Sequence, residues 1–206
     1  MKQRSKEWFE ARKGRFTASG INRLLGKEGL KKTNDSINTY ALEKAIESIY
    51  GVEEDTIISF DMQRGIDLEP LAFKLFKDLK SYEFIGVKES TFIPYGKHSG
   101  ASPDGEPDNA VLEIKCPKRN KFFKLVANGF DEIDAVYISQ MQMQMLSAKV
   151  EKAHFFNYYI EKGFEYWHEI IVQRDEEIID LIKKRIDIET EIKLNYVEKL
   201  NNNKQW

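Results

Sequence analysis

Apolar residues recur at helical spacing in several long segments of the chain. The broadest stripe runs from Phe60 to Leu79 and predicts a helix, with Pro70 marking a helix start or a kink near Glu69. The same spacing predicts helices over residues 37–50, 137–146 and 175–200. The last of these is highly charged on one face, which is typical of an outer packing helix or an oligomer helix.

Shorter runs rich in branched and aromatic residues predict β-strands. One run covers residues 110–115, and two more cover 153–160 and 165–172, joined by the hairpin sequence Glu161-Lys162-Gly163-Phe164. Apolar positions within 83–95 predict another hairpin, which turns near residues 87–90. Strands and helices therefore alternate along the chain, which indicates an α/β fold.

Candidate chemistry is concentrated where a turn precedes the 110–115 strand. Ser102-Pro103-Asp104-Gly105 places Asp104 in a turn, and Leu112-Glu113-Ile114-Lys115-Cys116-Pro117 follows after a short gap. Because Glu113 and Lys115 are two residues apart, a strand presents both on one face. Carboxylates bind hard divalent cations, and a lysine beside them can steady a nucleophilic water or the charge that builds on a phosphate.

The same acid–lysine pair has a simpler interpretation. Opposite charges two residues apart are common on solvated sheet faces, where they stabilise little. The flanking residues favour a site, because Pro103 and Gly105 fix the turn and Pro117 stops ladder pairing just after Lys115. A merely solvated strand would not require its charged residues to be fixed on both sides.

Composition narrows the protein class. A chain of 206 residues, 41% hydrophobic and 32% charged, is expected to form a single globular domain, 1–206. The formal net charge of −2 gives no overall electrostatic case for nucleic acid, so a DNA enzyme would need a local basic lining. The single cysteine, Cys116, excludes an internal disulfide and cysteine-based zinc or iron–sulfur sites. With no signal peptide and no apolar stretch of membrane length visible, a cytoplasmic location is expected.

The N-terminal region offers a candidate phosphate site. Ser5 can cap a short helix that carries Trp8 and Arg12, and Thr17 and Ser19 stand at the start of the next helix. A helix start with free N–H groups, hydroxyls and nearby arginines can bind phosphate. Taken alone, however, these residues are more simply ordinary caps and solvated arginines.

Two further segments carry polar residues at helical spacing. Lys118, Lys121 and Lys124 lie three residues apart on a predicted helix, along a side that can follow a phosphate backbone or be simply solvated. Gln140 and Gln144 share one face of the 137–146 helix, whose methionines are expected to fill the core.

Together these motifs resemble the PD-(D/E)xK nuclease superfamily and, more narrowly, the phage lambda exonuclease and YqaJ-type viral recombinase family. The longer central motif, from Ser-Pro-Asp-Gly to Leu-Glu-Ile-Lys-Cys-Pro, is the most specific part of the likeness. The likeness extends from about Trp8 to the C-terminal helix. The other matches are the opening residues Trp8, Arg12 and Thr17-Ala18-Ser19, the Gly-x-x-x-Glu pair Gly65 and Glu69, and the Tyr-x-x-Gln-x-Gln residues Tyr137, Gln140 and Gln142.

The resemblance implies a fold and a metal site. The expected fold is α/β with a restriction-endonuclease-like core, in which a mixed central β-sheet is flanked by helices on both faces. One or two Mg²⁺ ions, or Mn²⁺ in their place, are expected on Asp104, Glu113, Glu69 and the Ile114 backbone carbonyl. Lys115, helped by Gln140, is expected to orient the attacking water.

Further roles also come from the resemblance. Arg12, Ser19 and Ser102 match residues that form a pocket for the DNA 5′-phosphate. Without the family, Glu69 would be taken for an exposed helix acid, which is the usual case. Met62 lies where the family has a wedge that separates the strands, but a core methionine is the simpler interpretation.

The function implied by the resemblance is a Mg²⁺-dependent 5′-to-3′ exonuclease that acts on linear double-stranded DNA and leaves 3′ overhangs for phage-type recombination. A ring-shaped trimer and a single-strand annealing partner are implied in the same way, as is the host cytoplasm for a phage-encoded chain. Two alternatives stay open: a structure- or sequence-specific DNA endonuclease on the same fold, and a non-catalytic protein that binds DNA ends.

Overall fold

Helices and strands alternate along the chain. A computed structural model describes residues 3–25, 35–51, 59–81, 86–89 and 91–203. The elements in chain order are α1 (Lys6–Arg12), β1 (Phe16–Thr17), α2 (Asn22–Leu25), α3 (Asp35–Tyr50), α4 (Phe60–Lys80), β2 (Lys88–Glu89), β3 (Ile93–Tyr95), β4 (Ser99–Ala101), β5 (Gly105–Glu106), β6 (Ala110–Lys115), α5 (Arg119–Asn128), α6 (Ala135–Ala148), β7 (Lys152–Glu161), β8 (Phe164–Gln173) and α7 (Glu176–Asn202).

A five-stranded sheet of order β2-β5-β6-β7-β8 forms the centre of the fold. Strands β6 and β7 are parallel and the other neighbouring pairs are antiparallel, so the sheet is mixed, as predicted. The parallel pair is joined through α5 and α6, because parallel neighbours require a long crossover connection. A second sheet of order β1-β4-β3 is attached to it through the chain between β4 and β5.

Both faces of β6 are covered by helices, and this explains its nearly continuous burial. Leu112 and Ile114 pack on one face with Phe76 of α4. Val111 packs on the other face with Met141 and Met145 of α6, so the methionines fill the core as predicted. The predicted α/β architecture, with a mixed sheet between helices, is confirmed.

Local signals explain several element ends. The β7–β8 hairpin turns at Lys162 and Gly163, whose φ angles of +53° and +81° suit a tight two-residue turn. Ser59 accepts a hydrogen bond from the Met62 N–H at 3.2 Å and so caps α4. Helix α4 then continues from Phe60 through Pro70 to Lys80, as the apolar stripe predicts, so of the two effects predicted for Pro70 the helix start near Glu69 is ruled out.

The hairpin predicted within 83–95 was also wrong. Lys88 and Glu89, in the predicted turn, instead form β2, which pairs with β5, and β3 pairs with β4. Most of the first predicted run, residues 82–85, and residue 90 lie outside the described part. The true partner of β3 is Ser99-Gly100-Ala101, which lacks the branched and aromatic residues that signal a strand. Glycine is required there, because a Cβ on Gly100 would lie 2.7 Å from the Ile93 carbonyl oxygen.

Helix α7 hides charged residues on its inner face. It begins after Asp175, whose carboxylate accepts from the N–H groups of Glu177 and Ile178, and it packs along α3. Arg185, Glu189 and Lys193 are buried there, whereas the sequence pattern predicts that the charged residues lie on the outer face. None of the helices in the described ranges combines the length and the apolar composition that a membrane span requires.

Candidate active site

Asp104 is fixed against the strand that carries Glu113 and Lys115. Its backbone N–H donates to the Leu112 carbonyl at 2.8 Å, and its Oδ2 accepts from the Ile114 N–H at 2.7 Å. The Ser-Pro-Asp-Gly turn is thereby attached to β6 at two points. The Ile114 side chain is only 5% exposed and packs in the core.

Glu113 is a buried carboxylate with a donor on each oxygen. Its Oε1 accepts from the Lys115 ammonium and from Gln140 Nε2 at 2.7 Å. Its Oε2 accepts from Gln144 Nε2 at 2.5 Å. Glu113 is only 1% exposed, and burying a carboxylate without hydrogen-bond partners costs several kcal/mol or more. These three hydrogen bonds offset that desolvation cost.

Electrostatic interactions link the acids of this region. Burial, and then the carboxylates of Glu113 and Glu69, raise the pKa of Asp104 well above its usual value. Burial likewise raises the pKa of Glu69. Burial alone would lower the pKa of Lys115, but Glu113 and Asp104 outweigh it and raise this pKa, so the ammonium stays charged at neutral pH.

Glu69 borders the same region from α4. A cavity of about 220 Å³ has Glu69, Ile114 and Lys115 in its lining. Helix α4 is held there by Arg64, which donates to the carbonyl oxygens of Cys116 and Pro117 at 2.6 and 3.3 Å. The predicted third acid therefore faces the end of β6.

A larger cavity of about 520 Å³ adjoins the first, since Met62, Gly65, Lys115 and Cys116 line both. Met62 is 50% exposed at this boundary, so its interpretation as a core methionine was wrong. The Tyr137 ring, also in the lining, lies 4.8 Å from the Lys115 ammonium, close enough for a cation–π contact.

The predicted lysine stripe is only partly assembled. Lys118 precedes α5 and pairs with Asp61 at 2.8 Å. Lys121 lies within 3.3 Å of oxygens of Glu132 and Asp134. Both lysines line the larger cavity, whereas Lys124 is exposed outside its lining. Much of the predicted positive surface is therefore compensated by nearby acids.

The three residues predicted to bind phosphate form one cluster. Arg12 donates to Ser102 Oγ at 3.1 Å and to Ser19 Oγ at 3.2 Å. Its guanidinium lies 4.0 Å from the centre of the Trp8 ring, so stacking fixes the fork in place. Burial lowers the pKa of Arg12 to about 10, which still leaves it charged at neutral pH.

Several residues that contact the site were not predicted as site residues. Gln144 could have been found, because it lies one helical turn after Gln140 on the same face. Arg64 and the aromatic contact of Tyr137 had no distinguishing signal. Gln3 donates to Asp104 Oδ1 at 3.3 Å and Arg4 Nη2 lies 3.8 Å from Glu69 Oε2, although neither belongs to a motif.

A model of the YqaJ-like viral recombinase domain matches residues 7–151, more than half of the chain. The chain belongs to this family. The resemblance inferred from Asp104, Glu113 and Lys115 is therefore confirmed at the level of the family.

Solved structures agree with membership of the YqaJ-like family. LHK-Exo in complex with dAMP has a TM-score of 0.81 and 27% identity, over 96% of this chain and 97% of that one. The alkaline exonuclease LHK-Exo from Laribacter hongkongensis gives 0.79 with the same identity and coverage. A phage-related exonuclease from Haemophilus somnus 129PT, 18% identical over 90% of this chain and 96% of that one, has a TM-score of 0.71 and shows the shared fold. A search of curated proteins found no significant match.

Proposed function

We propose that this YqaJ-family chain is a metal-dependent exonuclease that degrades the 5′-ended strand of linear double-stranded DNA and leaves a 3′ overhang. The observation that carries the proposal is the pairing of two clusters across one turn. Ser102 contacts Arg12, and Asp104, two residues later, contacts the strand of Glu113. A terminal-phosphate pocket beside a hydrolytic site suits removal of nucleotides from a 5′ end.

The comparison with LHK-Exo supports this proposal. That protein is described as an alkaline exonuclease, and one of its structures contains dAMP. A nucleoside monophosphate is the product expected when a strand is degraded one nucleotide at a time. The likeness in fold and sequence makes the same chemistry the best proposal for this chain.

The donor set fits a hard divalent cation. Carboxylate and carbonyl oxygens are the ligands that Mg²⁺ and Mn²⁺ prefer. Burial, and then repulsion by the carboxylates of Glu113 and Glu69, raise the pKa of Asp104, and a bound cation would relieve both. Asp104, Glu113, Glu69 and the Ile114 carbonyl would hold one or two ions. Such an ion would act as a Lewis acid and lower the pKa of water.

The present arrangement differs from a preformed metal cluster. Among the residues that the structure describes, no group of three His, Cys, Asp or Glu side chains is close enough to hold a metal. Glu113 instead shares its Oε1 with the Lys115 ammonium, which supplies positive charge there. Ion binding by Glu113 would therefore require Lys115 to share or give up this oxygen.

The chain's own residues have definite tasks in this proposal. Lys115, kept charged by its neighbours, can donate to the attacking water or to a phosphate oxygen that gains charge in the transition state. Gln140 holds the Glu113 carboxylate through its hydrogen bond to Oε1. Arg12, Ser19 and Ser102 present forked and hydroxyl donors for a terminal phosphate, which would favour phosphorylated 5′ ends.

Digestion of end-labelled DNA tests the proposal. Linear duplex labelled at the 5′ or the 3′ end is incubated with and without Mg²⁺, beside a covalently closed circle. We expect early release of the 5′ label, only with the metal, and an intact circle. Early release of the 3′ label alone would overturn the polarity. Cleavage of the circle would indicate an endonuclease, and binding without release would indicate a non-catalytic end-binding protein.

A further inference from the structure

The segment before α1 contacts two of the three candidate metal-binding acids. Gln3 Nε2 donates to the Pro103 carbonyl at 3.2 Å and to Asp104 Oδ1 at 3.3 Å. The next residue, Arg4, directs its guanidinium to Glu69 on α4. Two consecutive side chains therefore span the gap between the Ser-Pro-Asp-Gly turn and α4.

The backbone at Arg4 is unusual. Its φ angle is +64°, in the left-handed region that non-glycine residues seldom adopt. The following residue, Ser5, caps α1 by accepting from the Trp8 N–H at 3.3 Å, so the turn is anchored on its C-terminal side. The Arg4 side chain lines the 220 Å³ cavity together with Ile114 and Lys115 of β6.

The Arg4 guanidinium has weaker polar contacts than the cationic groups of Lys115 and Arg64 nearby. Lys115 bonds to buried Glu113, and both terminal nitrogens of Arg64 donate to backbone carbonyls. The Arg4 side chain is 46% exposed, and its distance of 3.8 Å from the Glu69 carboxylate is long for an ion pair. Its forked donors can therefore turn to a ligand in the cavity.

We propose that Arg4 binds a backbone phosphate of the DNA strand being degraded, inside the smaller cavity, while Gln3 holds this segment against Asp104. The proposal rests on the proposed nuclease function and adds a substrate-contacting residue to it. The reason is electrostatic. Asp104, Glu69 and Glu113 would repel a phosphodiester, and a guanidinium at the cavity wall offsets this repulsion and can bond two phosphate oxygens at once.

Binding measured against salt tests this role apart from catalysis. The affinity of wild-type and Arg4→Ala proteins for a 5′-phosphorylated linear duplex is measured by fluorescence anisotropy at several salt concentrations, without divalent metal. Each phosphate contact makes the negative slope of log affinity against log salt steeper by about 0.7 to 0.9. We expect Arg4→Ala to weaken binding about tenfold and to make this slope shallower by about 0.7 to 0.9.

Two further variants make the test specific. Arg4→Lys keeps the charge and should keep the slope while binding more weakly, because it loses the fork. Lys183→Ala removes a positive charge on α7 that is paired with Asp180 at 3.1 Å, and should leave affinity and slope unchanged. Thermal melting of each variant shows that the fold is intact.

The two proposals fail in different ways. If the wild-type protein degrades linear DNA but Arg4→Ala binds with unchanged affinity and slope, the role of Arg4 is overturned while the nuclease function stands. Tighter binding and faster degradation by Arg4→Ala would also overturn it and would indicate that the segment obstructs the site. If Arg4→Ala binds DNA more weakly and with a shallower salt slope, but the wild-type protein does not degrade DNA, only the nuclease function is refuted.

Discussion

Gln144 donates a hydrogen bond of 2.5 Å to Oε2 of Glu113, one helical turn beyond Gln140, which donates to Oε1 of the same carboxylate. Helix α6 thus holds both oxygens of a side chain that is almost fully buried. A buried charge depends strongly on each of its donors, because none can be replaced by bulk water. Gln144 is therefore expected to fix the orientation of Glu113.

Replacing Gln144 should impair both stability and nuclease activity. Gln144→Ala leaves one oxygen of Glu113 without its donor, and we expect a loss of about 1.5–3 kcal/mol in the free energy of unfolding. The nuclease rate should also fall, by about tenfold or more, at temperatures where the variant is folded. Urea unfolding and a nuclease assay under the same conditions measure the two effects.

Gln142 on the same helix is the matched control. Its side chain is also buried, but it bonds to the Gln173 carbonyl and the Asp175 N–H, away from Glu113. Gln142→Ala should lose comparable stability and keep the nuclease rate of the folded protein. Equal activity losses in the two variants would show that Gln144 acts only through general stability.

The Arg12 cluster should set the preference for phosphorylated ends. Arg12→Ala removes the donor that bonds to Ser19 and Ser102, and charge-assisted bonds of this kind are worth about 1.5–3 kcal/mol. The rate on 5′-phosphorylated duplex should fall about 10- to 100-fold, and the difference from 5′-hydroxyl duplex should disappear. Arg23→Ala, which breaks an exposed pair with Glu43, should keep the wild-type rate ratio. An unchanged ratio in Arg12→Ala would contradict the assignment.

Lys121 should contribute little to DNA binding despite its place beside the larger cavity. Its ammonium already bonds to Glu132 and Asp134, so the net charge of this group is not positive. Lys121→Gln should therefore change the salt slope of DNA binding by much less than the 0.7 to 0.9 of a full phosphate contact. A full loss of that size would show that Lys121 leaves these acids to bind DNA.

Lys193 should make stability depend on alkaline pH. It is buried, donates to the Gly14 carbonyl at 2.7 Å and contacts His98 Nδ1 at 3.0 Å. Burial, with Arg15 and Lys44 nearby, lowers its pKa from 10.5 to about 8. Below pH 8 the lysine is charged in both states and burial costs stability. As the pH rises from about 8 to 10.5 the folded state loses its proton first, so stability should increase by about 3 kcal/mol.

The comparison of wild type with Lys193→Met isolates this effect. The free energy of unfolding is measured in urea between pH 7 and 10.5, and the difference between the two proteins is plotted. Wild type should gain stability relative to the variant as the pH rises. Parallel pH profiles would show that Lys193 keeps an ordinary pKa in the folded protein.

The sequence predicted best what is local. Strand β6, the β7–β8 hairpin and the long helices followed from periodicity and turn residues, and the Asp104–Glu113–Lys115 motif identified the family. Prediction from the sequence failed where contacts between residues far apart in the chain determine the local structure. The Ser-Gly-Ala strand β4 has no strand propensity of its own, and it forms because β1 and β3 pair with it.

Polar residues were the hardest to assign. Arg185, Glu189 and Lys193 recur every four residues, a pattern that favours an exposed helix face, yet neighbouring elements cover them. One apolar residue was also misassigned. The sequence favours a core position for Met62, because methionine is commonly found there, but its side chain is half exposed at a cavity. Gln3 and Arg4 reach the acids only through a left-handed turn, which no local signal foretells.

We propose that Asp104, Glu113 and Lys115 act together to hydrolyse a DNA phosphodiester. The most direct test of this proposal is the release of nucleotides from 5′-phosphorylated linear duplex, with Mg²⁺, by wild type, Asp104→Asn and Lys115→Ala under single-turnover conditions. Asparagine keeps an oxygen for the Ile114 N–H, so the turn should remain in place. Both variants should bind DNA and lose about 10²- to 10³-fold or more in rate. Undiminished release by Asp104→Asn would contradict the account.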